Sequence, residues 1–362
     1  MLYNLLYPLS DIIPVFNLFR YISFRASMAA LTAFIISLIL GPVIIDMMKR
    51  LQIGEKVIKA DSQQLDELHK KKQGTPTMGG ILILLAVFFS VFLWADIFNK
   101  YIIIAVLTTL WLGITGFIDD YLKQMKKVSK GLTAGAKFTS QIILGLILGI
   151  ILFIDPQTST KLDIPFLKNI FIDLGIFYVL FVIVVIAGSS NAVNLTDGLD
   201  GLAIGCVIMA SLAFGVLSYV SGNIKFSEYL LIPYIKGGGE LAVFCSAILG
   251  AGLGFLWFNC YPASIFMGDV GALSLGGALG TVALLIKKEL LLVVVGGIFV
   301  IEALSVILQV ASFRMFKKRI FKIAPLHHHF QFLGWQENKV IVRFWIIASF
   351  MALLTLVTLK LR

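Results

Sequence analysis

The sequence predicts an all-α polytopic membrane protein that crosses the bilayer about ten times as a single domain over residues 1–362. Hydrophobic residues make up 59% of the chain, charged residues make up 14%, and the mean hydropathy is +0.96. A soluble domain has about a quarter of its residues charged, so this composition argues against a soluble protein. Several apolar runs reach ~18 residues, the length a helix needs to cross a ~30 Å hydrocarbon core.

Ten apolar segments have the length of a membrane-spanning helix. They are residues 24–46, 78–97, 101–118, 136–154, 174–190, 201–219, 240–259, 270–286, 290–312 and 340–359. Residues 1–20 are amphipathic and contain two prolines, which favours a segment lying at the membrane interface. The connections between the spans are too short to hold a soluble domain.

The distribution of Lys and Arg predicts how the chain is oriented. The connections after the odd-numbered spans carry, in or beside them, 19 of the 30 Lys and Arg residues. The positive-inside rule therefore places these connections in the cytoplasm and both termini on the periplasmic or extracellular side. The cytoplasmic connections are approximately 49–77, 119–135, 191–200, 260–269 and 313–339. The same rule explains the net charge of +10, so no nucleic-acid partner is expected.

Acidic residues mark the end of span 3, in the stretch GFIDDY. Asp119 and Asp120 fit a solvated helix end with Lys123 and Lys126 as partners three to four residues away. They also fit a site for Mg²⁺, which prefers one or two carboxylates plus substrate phosphates, or a general base. The residues alone leave both interpretations open.

The connection after span 5 reads NAVNLTDGLDGL, residues 191–202, and has no Lys or Arg. One of its two acids, Asp197 and Asp200, is explained as the N-cap of span 6. Two acids together with Asn191 and Asn194 exceed what a cap requires, and free N–H groups at such a helix start would also suit a phosphate. Asp269, in FMGDVG at the start of span 8, has the same two interpretations.

Histidines and lysines occupy two of the basic cytoplasmic connections. The stretch APLHHHF, residues 324–330, is either a solvated polar loop or a grip for a phosphate or diphosphate, helped by the preceding basic residues. Those basic residues would alternatively meet anionic lipid headgroups. They are Arg314, Lys317, Lys318 and Arg319. In HKKKQGTPTMGG, Lys70 to Lys72 either follow the positive-inside rule or hold an anionic substrate.

One acid, Glu302, lies inside predicted span 9, where an intramembrane carboxylate tends to face a cavity or a break in the helix.

The other acids gather at one predicted face of the membrane, beside cations that suit phosphates. This pattern favours Mg²⁺-assisted phosphoryl transfer between a soluble diphosphate donor and a lipid acceptor. A secondary transporter is disfavoured, because its carboxylates would lie near the bilayer midplane and no internal repeat is visible. A non-catalytic scaffold is disfavoured as well, because it has no use for several acids at the span ends on one side of the membrane.

At these motifs the sequence closely resembles the phospho-N-acetylmuramoyl-pentapeptide transferases, a branch of the polyprenyl-phosphate N-acetylhexosamine-1-phosphate transferases. The matching stretches, in the order of the family, are GTPTMGG (74–80), GFIDDY (116–121), NAVNLTDGLDGL (191–202), GLGFLWFNCYPASIFMGDVG (252–271) and APLHHHF (324–330). The triple His and the TPTMGG stretch favour this branch over sister enzymes that use UDP-N-acetylglucosamine.

The resemblance implies transfer of phospho-MurNAc-pentapeptide from UDP-MurNAc-pentapeptide to undecaprenyl phosphate, giving lipid I and UMP. It implies Mg²⁺ as cofactor, a multi-pass protein of the bacterial plasma (inner) membrane with a cytoplasm-facing active site, a homodimer and a broken ninth span. Asp269 would be the Mg²⁺ ligand, and Asp119 of the Asp119–Asp120 pair would deprotonate the lipid phosphate. Asp197 would be a third essential acid near the metal.

The resemblance also assigns a substrate pocket. The uridine pocket would be formed by Gly198, Leu199, Asp200, Asn259 and Phe266, with Phe266 stacking on uracil. The polar cleft would be lined by Lys72, Lys123, Lys137, Asn194, His327, His328 and His329.

Overall fold

The computed structural model describes residues 1–51, 72, 74–124, 126, 131–164 and 171–360. Within these residues, nine helices are long and apolar enough to cross a membrane, which agrees with a polytopic helical protein. They are α2 (Ile22–Arg50), α4 (Lys100–Gln124), α5 (Ala134–Ile154), α6 (Phe177–Thr196), α7 (Leu202–Ser221), α9 (Glu240–Asn259), α10 (Gly268–Leu285), α12 (Gly297–Phe316) and α14 (Glu337–Val357). Most of the predicted connection 49–77 lies outside the described residues.

A tenth apolar helix, α3 (Gly80–Trp94), has only 15 residues, so the predicted span over 78–97 is too long. At 1.5 Å per residue, α3 covers about 22 Å of the ~30 Å hydrocarbon core. The backbone before α3 is extended and pairs with the segment that precedes α10. The N–H of Phe266 donates to Pro76 O, and the N–H of Gly79 donates to Phe266 O, each over 2.8 Å. These hydrogen bonds hold the residues up to Gly79 outside the helix, so α3 begins only at Gly80.

The ninth predicted span is divided at Gly296, as expected. A short helix, α11 (Leu291–Val295), precedes the break, and α12 follows it directly. Helix α12 ends where Lys317 adopts a left-handed conformation with φ 55°.

Several short elements lie outside the spans, and one of them departs from the all-α expectation. The connection between α5 and α6 forms a hairpin in which β1 (Lys161–Asp163) pairs antiparallel with β2 (Phe171–Asp173). Strands of three residues are too short to show a period in the sequence. The remaining short α-helices are α1 (Leu2–Leu6), α8 (Ile224–Leu230) and α13 (Leu326–Phe332), and two 3₁₀ helices, Tyr7–Leu9 and Pro14–Arg20, follow α1.

Helices α9 and α10 form the centre of the bundle. Helix α9 packs against α2 and α7, and α10 packs against α4 and α6. Glycines allow the backbones to touch: a Cβ atom at Gly250 would lie 2.0 Å from Ala30 O, and one at Gly276 would lie 2.5 Å from Ser189 O. At the ends where α2 and α9 begin, the buried Arg25 guanidinium donates two hydrogen bonds to the Glu240 carboxylate. These contacts fix the relative heights of the central helices.

Candidate functional site

Three carboxylates meet where α4 ends and α10 begins. One oxygen from each of Asp119, Asp120 and Asp269 lies within 4.8 Å of the other two. The approach depends on Gly116, because a Cβ atom there would lie 2.3 Å from Asp269 O. The convergence expected from the span ends is therefore confirmed for these three acids. An all-oxygen group of this kind suits a hard cation such as Mg²⁺.

Backbone N–H groups orient two of the three carboxylates. Oδ1 of Asp119 accepts the N–H of Leu132 over 2.7 Å, and Oδ2 of Asp120 accepts the N–H of Val270 over 3.2 Å. Gly268, with φ 73°, leaves room for Asp120, since a Cβ atom at this position would lie 2.6 Å from Asp120 Oδ2. The acids are thus held by the main chain, with the Asp119 side chain fully buried.

Two lysines connect the carboxylates to one another. Nζ of Lys137 lies 2.7 Å from Asp119 Oδ2 and also contacts Asp269 Oδ2. Nζ of Lys123 lies 3.2 Å from Asp269 Oδ2 and also contacts Asp119 Oδ2. Three carboxylates and two ammonium groups leave one negative charge if all are ionised. The residues present therefore fit a divalent cation whose excess positive charge is met by substrate phosphates.

Helix register places Asp197 at the same height as Asp269. Gly276 of α10 contacts the backbone of Ser190 of α6, and the two helices run antiparallel. Asp269 lies seven residues before Gly276, and Asp197 lies seven residues after Ser190. Seven residues correspond to about 10 Å along a helix, so both acids lie at the same end of the pair. Asn194, half-buried, lies one turn before Asp197 on α6.

The N-cap interpretation of the acids is wrong. Helix α7 has Gly201 as its N-cap, with φ 77° and no side-chain capping bond, and Asp197 follows the C-terminal end of α6. Helix α10 has Met267 as its N-cap, so Asp269 lies within the first helical turn. The N-cap position of α7 has a left-handed conformation, which suits glycine. This explains why neither Asp197 nor Asp200 occupies that position.

A second charged group forms at the turn of residues 197–201. Nζ of Lys72 lies 2.6 Å from Asp200 Oδ1 and also contacts Glu337, the first residue of α14. Oε1 of Glu337 in turn accepts the N–H of Asp200 over 3.2 Å. Burial lowers the pKa of Lys72, but Glu337 and Asp200 outweigh that effect and raise its pKa above the usual value. Lys72 therefore remains charged between the two acids.

Sequence reasoning missed Glu337. Glu337 lies just before the tenth predicted span, 340–359. An acid at that position is ordinarily explained by its favourable interaction with the helix N-terminus, so it gave little indication of a site. Its contact with Lys72, more than 260 residues earlier in the chain, has no trace in local sequence.

The expected uridine-pocket residues surround one corner of the fold. The side-chain amide of Asn259 accepts the N–H of Gly201 over 3.0 Å and donates to Ile265 O over 2.7 Å, while Oδ2 of Asp200 accepts the N–H of Ala263 over 3.0 Å. Leu199 is buried, and Phe266 is half-buried beside the extended segment before α3. Asn259 and Asp200 thus hold the connection between α9 and α10 against the turn.

The triple His belongs to helix α13 and not to a solvated loop. His327 is 1% exposed; its N–H donates to Oε1 of Glu302 over 3.1 Å, and its Nδ1 lies 3.3 Å from Oε2 of Glu302. This contact explains the buried acid in α12. A Cβ atom at Gly198 would lie 2.3 Å from Nε2 of His327, so the ring lies directly against the turn.

The other two histidines make separate contacts. His328 is also buried, and its Nδ1 lies 2.9 Å from Oε1 of Gln331. Nδ1 of His329 accepts the N–H of Lys322 over 3.1 Å. Of the two alternatives for this stretch, the solvated polar loop is therefore excluded for His327 and His328, because the intramembrane carboxylate of Glu302 draws the start of α13 into the bundle.

Comparisons with known proteins show which family the chain belongs to. Residues 102–287 match the model of glycosyl transferase family 4, and residues 72–84 match phospho-N-acetylmuramoyl-pentapeptide-transferase signature 1. Proteins named phospho-N-acetylmuramoyl-pentapeptide-transferase from Desulforapulum autotrophicum, Desulfatibacillum aliphaticivorans and Desulfotalea psychrophila are 54%, 56% and 53% identical to the chain. Each similarity covers 100% of both sequences.

Proposed function

The chain belongs to the phospho-N-acetylmuramoyl-pentapeptide-transferase family, and we propose that it transfers phospho-MurNAc-pentapeptide from UDP-MurNAc-pentapeptide to undecaprenyl phosphate. The products are lipid I and UMP, and the reaction is the first membrane step of peptidoglycan synthesis. One observation carries the proposal: Asp119, Asp120 and Asp269 converge at one end of a bundle of membrane-spanning helices. A soluble nucleotide donor and a lipid acceptor can both reach such a place.

The protein works in the bacterial plasma (inner) membrane, with its active site facing the cytoplasm and both termini on the other side. The Lys and Arg distribution supports this orientation, since 19 of 30 lie in or beside the connections at the end that carries the acids. The family resemblance supports a homodimer.

The acidic group prepares both reactants. Asp269, with Asp119 and Asp120 beside it, would hold Mg²⁺, and the metal would supply positive charge for the diphosphate oxygens of the donor. Asp119 takes the proton of the lipid phosphate, whose oxygen then attacks the donor phosphorus directly. Lys123 and Lys137 already contact Asp119 and Asp269, so they are placed to pair with phosphate oxygens. Asp197, at the same height on α6, contributes further negative charge.

The turn of residues 197–201 forms the nucleoside end of the site. Gly198, Leu199, Asp200 and Asn259 shape the uridine pocket, and Phe266 stacks on uracil. The hydrogen bonds that Asn259 and Asp200 accept from backbone N–H groups at this corner support a rigid pocket wall. The polar cleft between this corner and the acids is lined by Lys72, Asn194, His327, His328 and His329. The contact of His327 with Gly198 supports their common location.

The test is an assay of the purified full chain with Mg²⁺, UDP-MurNAc-pentapeptide and a polyprenyl phosphate. We expect butanol-extractable labelled lipid and UMP, and no product after EDTA or with Asp269→Ala. Asp46→Ala, which removes an exposed acid on α2, is the matched control and should retain activity. Activity that survives in Asp269→Ala would refute the metal role. Conversion of UDP-N-acetylglucosamine in place of the muramoyl donor would assign the chain to the sister transferases.

A further inference from the structure

Four cations form a surface that the proposed reaction does not use. This basic surface consists of Arg314, Lys317, Lys318 and Arg319, at and just after the end of α12. All four are exposed, and none forms an ion pair with another residue in the described part of the chain. The sequence from 303 to 336 contains no Asp or Glu, so no acid on the same segment offsets this charge.

The segment after α12 is folded back along the helix and does not extend away from the bundle. The side-chain oxygen of Gln309 accepts the N–H groups of Ile320 and Phe321, each over 3.0 Å, and its amide nitrogen donates to Phe321 O over 3.0 Å. Oγ of Ser312 donates to Lys318 O over 2.9 Å. Gln309 lies seven residues before the end of α12, which corresponds to about 10 Å along the helix axis. The cations therefore remain at the level of the last helical turns.

Large apolar side chains are exposed at the same level. Met315 and Phe316 are 69% and 65% exposed, and Phe313 and Ile320 are exposed as well. Helix α12 is also exposed along much of its length, because only 22% of its apolar stretch is buried in the protein. Apolar side chains beside cations at the end of a spanning helix are typical of a segment at the boundary of acyl chains and headgroups.

Two of the three histidines, His327 and His328, do not share this surface. His327 and His328 are buried, and the polar atoms of His327 are directed at Glu302 and Gly198. A phosphate grip formed jointly by the histidines and these four cations, one of the options left open by the sequence, is therefore disfavoured. The four cations are exposed, whereas the rings of His327 and His328 are buried.

We propose that the basic surface binds the phosphate groups of anionic phospholipids in the leaflet at the active-site end of the bundle. Clusters of four or more Lys and Arg directly beside a spanning helix are attracted to anionic headgroups at about 1 kcal/mol per residue. The guanidinium groups donate paired hydrogen bonds to phosphate oxygens, and the ammonium groups act as point charges. The exposed apolar side chains contact the acyl chains of the same lipids.

The experiment counts lipids bound to the intact protein. Full chain, purified in a mild detergent, is titrated with phosphatidylglycerol or phosphatidylcholine, and bound lipids are counted by native mass spectrometry. We expect a preference for phosphatidylglycerol that falls at least about 10-fold in the triple variant Lys317→Gln, Lys318→Gln and Arg319→Gln. The matched control is Lys161→Gln, Lys225→Gln and Lys236→Gln, which removes three exposed lysines at the opposite end and should keep the preference.

Two outcomes would overturn the proposal. One is an unchanged phosphatidylglycerol preference in the triple variant, with the protein still monodisperse. The other is a loss of inorganic phosphate or UMP binding in the triple variant without any change in lipid count, which would assign the cations to a soluble anion. Neither readout requires the transferase assay, so this result is independent of the proposed reaction.

Discussion

Gly198 and His327 touch without an intervening side chain: a Cβ atom at Gly198 would lie 2.3 Å from Nε2 of the His327 ring. The contact joins the turn that follows α6 to helix α13, two parts of the chain separated by almost 130 residues. It also connects the turn to Glu302, which holds the same histidine from the other side.

Gly198→Ala should therefore lower kcat/KM by at least about 10-fold, because misplacing a site group by 1 Å can cost about 100-fold. The His327 ring is buried against the turn, so an added methyl group must displace either the ring or the turn. The transferase assay checks this, with Gly188→Ala as control, since no heavy atom lies within 4 Å of a Cβ atom at Gly188. Equal activity in the two variants would mean that the contact has no role in the site.

Mg²⁺ should raise the thermal unfolding midpoint of the full chain. A ligand at 100 times its Kd stabilises the folded state by about 2.7 kcal/mol. Asp269→Asn should remove this shift, because Asp269 belongs to the three-carboxylate group. Asp46→Asn should keep the shift, because Asp46 lies outside that group. A full Mg²⁺ shift in Asp269→Asn would contradict the assigned ligand.

Lys137→Gln should tighten Mg²⁺ binding and still slow the reaction. Nζ of Lys137 contacts both Asp119 and Asp269, so it competes with a metal for their oxygens. Removing the ammonium group of Lys137 strengthens the attraction of the carboxylates for Mg²⁺, but it also removes a cation that would pair with the substrate phosphate. The measurements are the Mg²⁺ dependence of the unfolding midpoint and kcat. Weaker Mg²⁺ binding in this variant would show that the lysine supports the metal and does not compete with it.

Glu337→Ala should raise KM for the UDP donor about 10-fold, corresponding to the ~1–3 kcal/mol cost of leaving a buried polar group unpaired. Glu337 holds Lys72 and also accepts the N–H of Asp200. Glu337→Gln retains an acceptor for that N–H and should have a smaller effect. Glu228→Ala, an exposed acid in α8, serves as control. If Glu337→Ala changes kcat and leaves KM unchanged, the residue does not act on the uridine pocket.

Arg25→Met should destabilise the protein by about 3–5 kcal/mol, because it leaves the buried carboxylate of Glu240 unpaired. The double variant Arg25→Met with Glu240→Met should be less destabilised than the single one. Lys100→Met breaks the Lys100–Asp155 pair, whose side chains are 41% and 20% exposed, and should cost at most about 1 kcal/mol. Denaturant unfolding of the reconstituted protein measures all three. Equal losses for Arg25→Met and Lys100→Met would contradict this ranking.

The sequence predicted the helical class, the span positions and the convergence of Asp119, Asp120 and Asp269. These features follow from apolar length and from which span ends share a side of the membrane. The same reasoning failed for the start of α3, because the late start of that helix depends on backbone pairing of residues 76–79 with residues near Phe266. Pairing between segments so distant in the chain leaves no local signal.

The charged partners were harder to predict than the acids. Lys72 and Glu337 meet through tertiary contact alone, and the burial of His327 depends on Glu302 in another helix. The helix that carries the triple His could not be predicted, because the seven residues of α13 are too few to display a helical period. The roles assigned to individual residues remain predictions that the variants above test.

The close backbone packing around Gly116 has a further consequence. The main chain fixes the anions of the site, whereas the cations arrive at the ends of long, flexible lysine side chains. Such a centre can act as an ion exchanger: an ammonium group withdraws, a metal or a phosphate-bound metal takes its place, and no helix has to shift. The resting protein would then carry its own counter-ions, which offset the negative charge of the crowded carboxylates until substrate brings replacements.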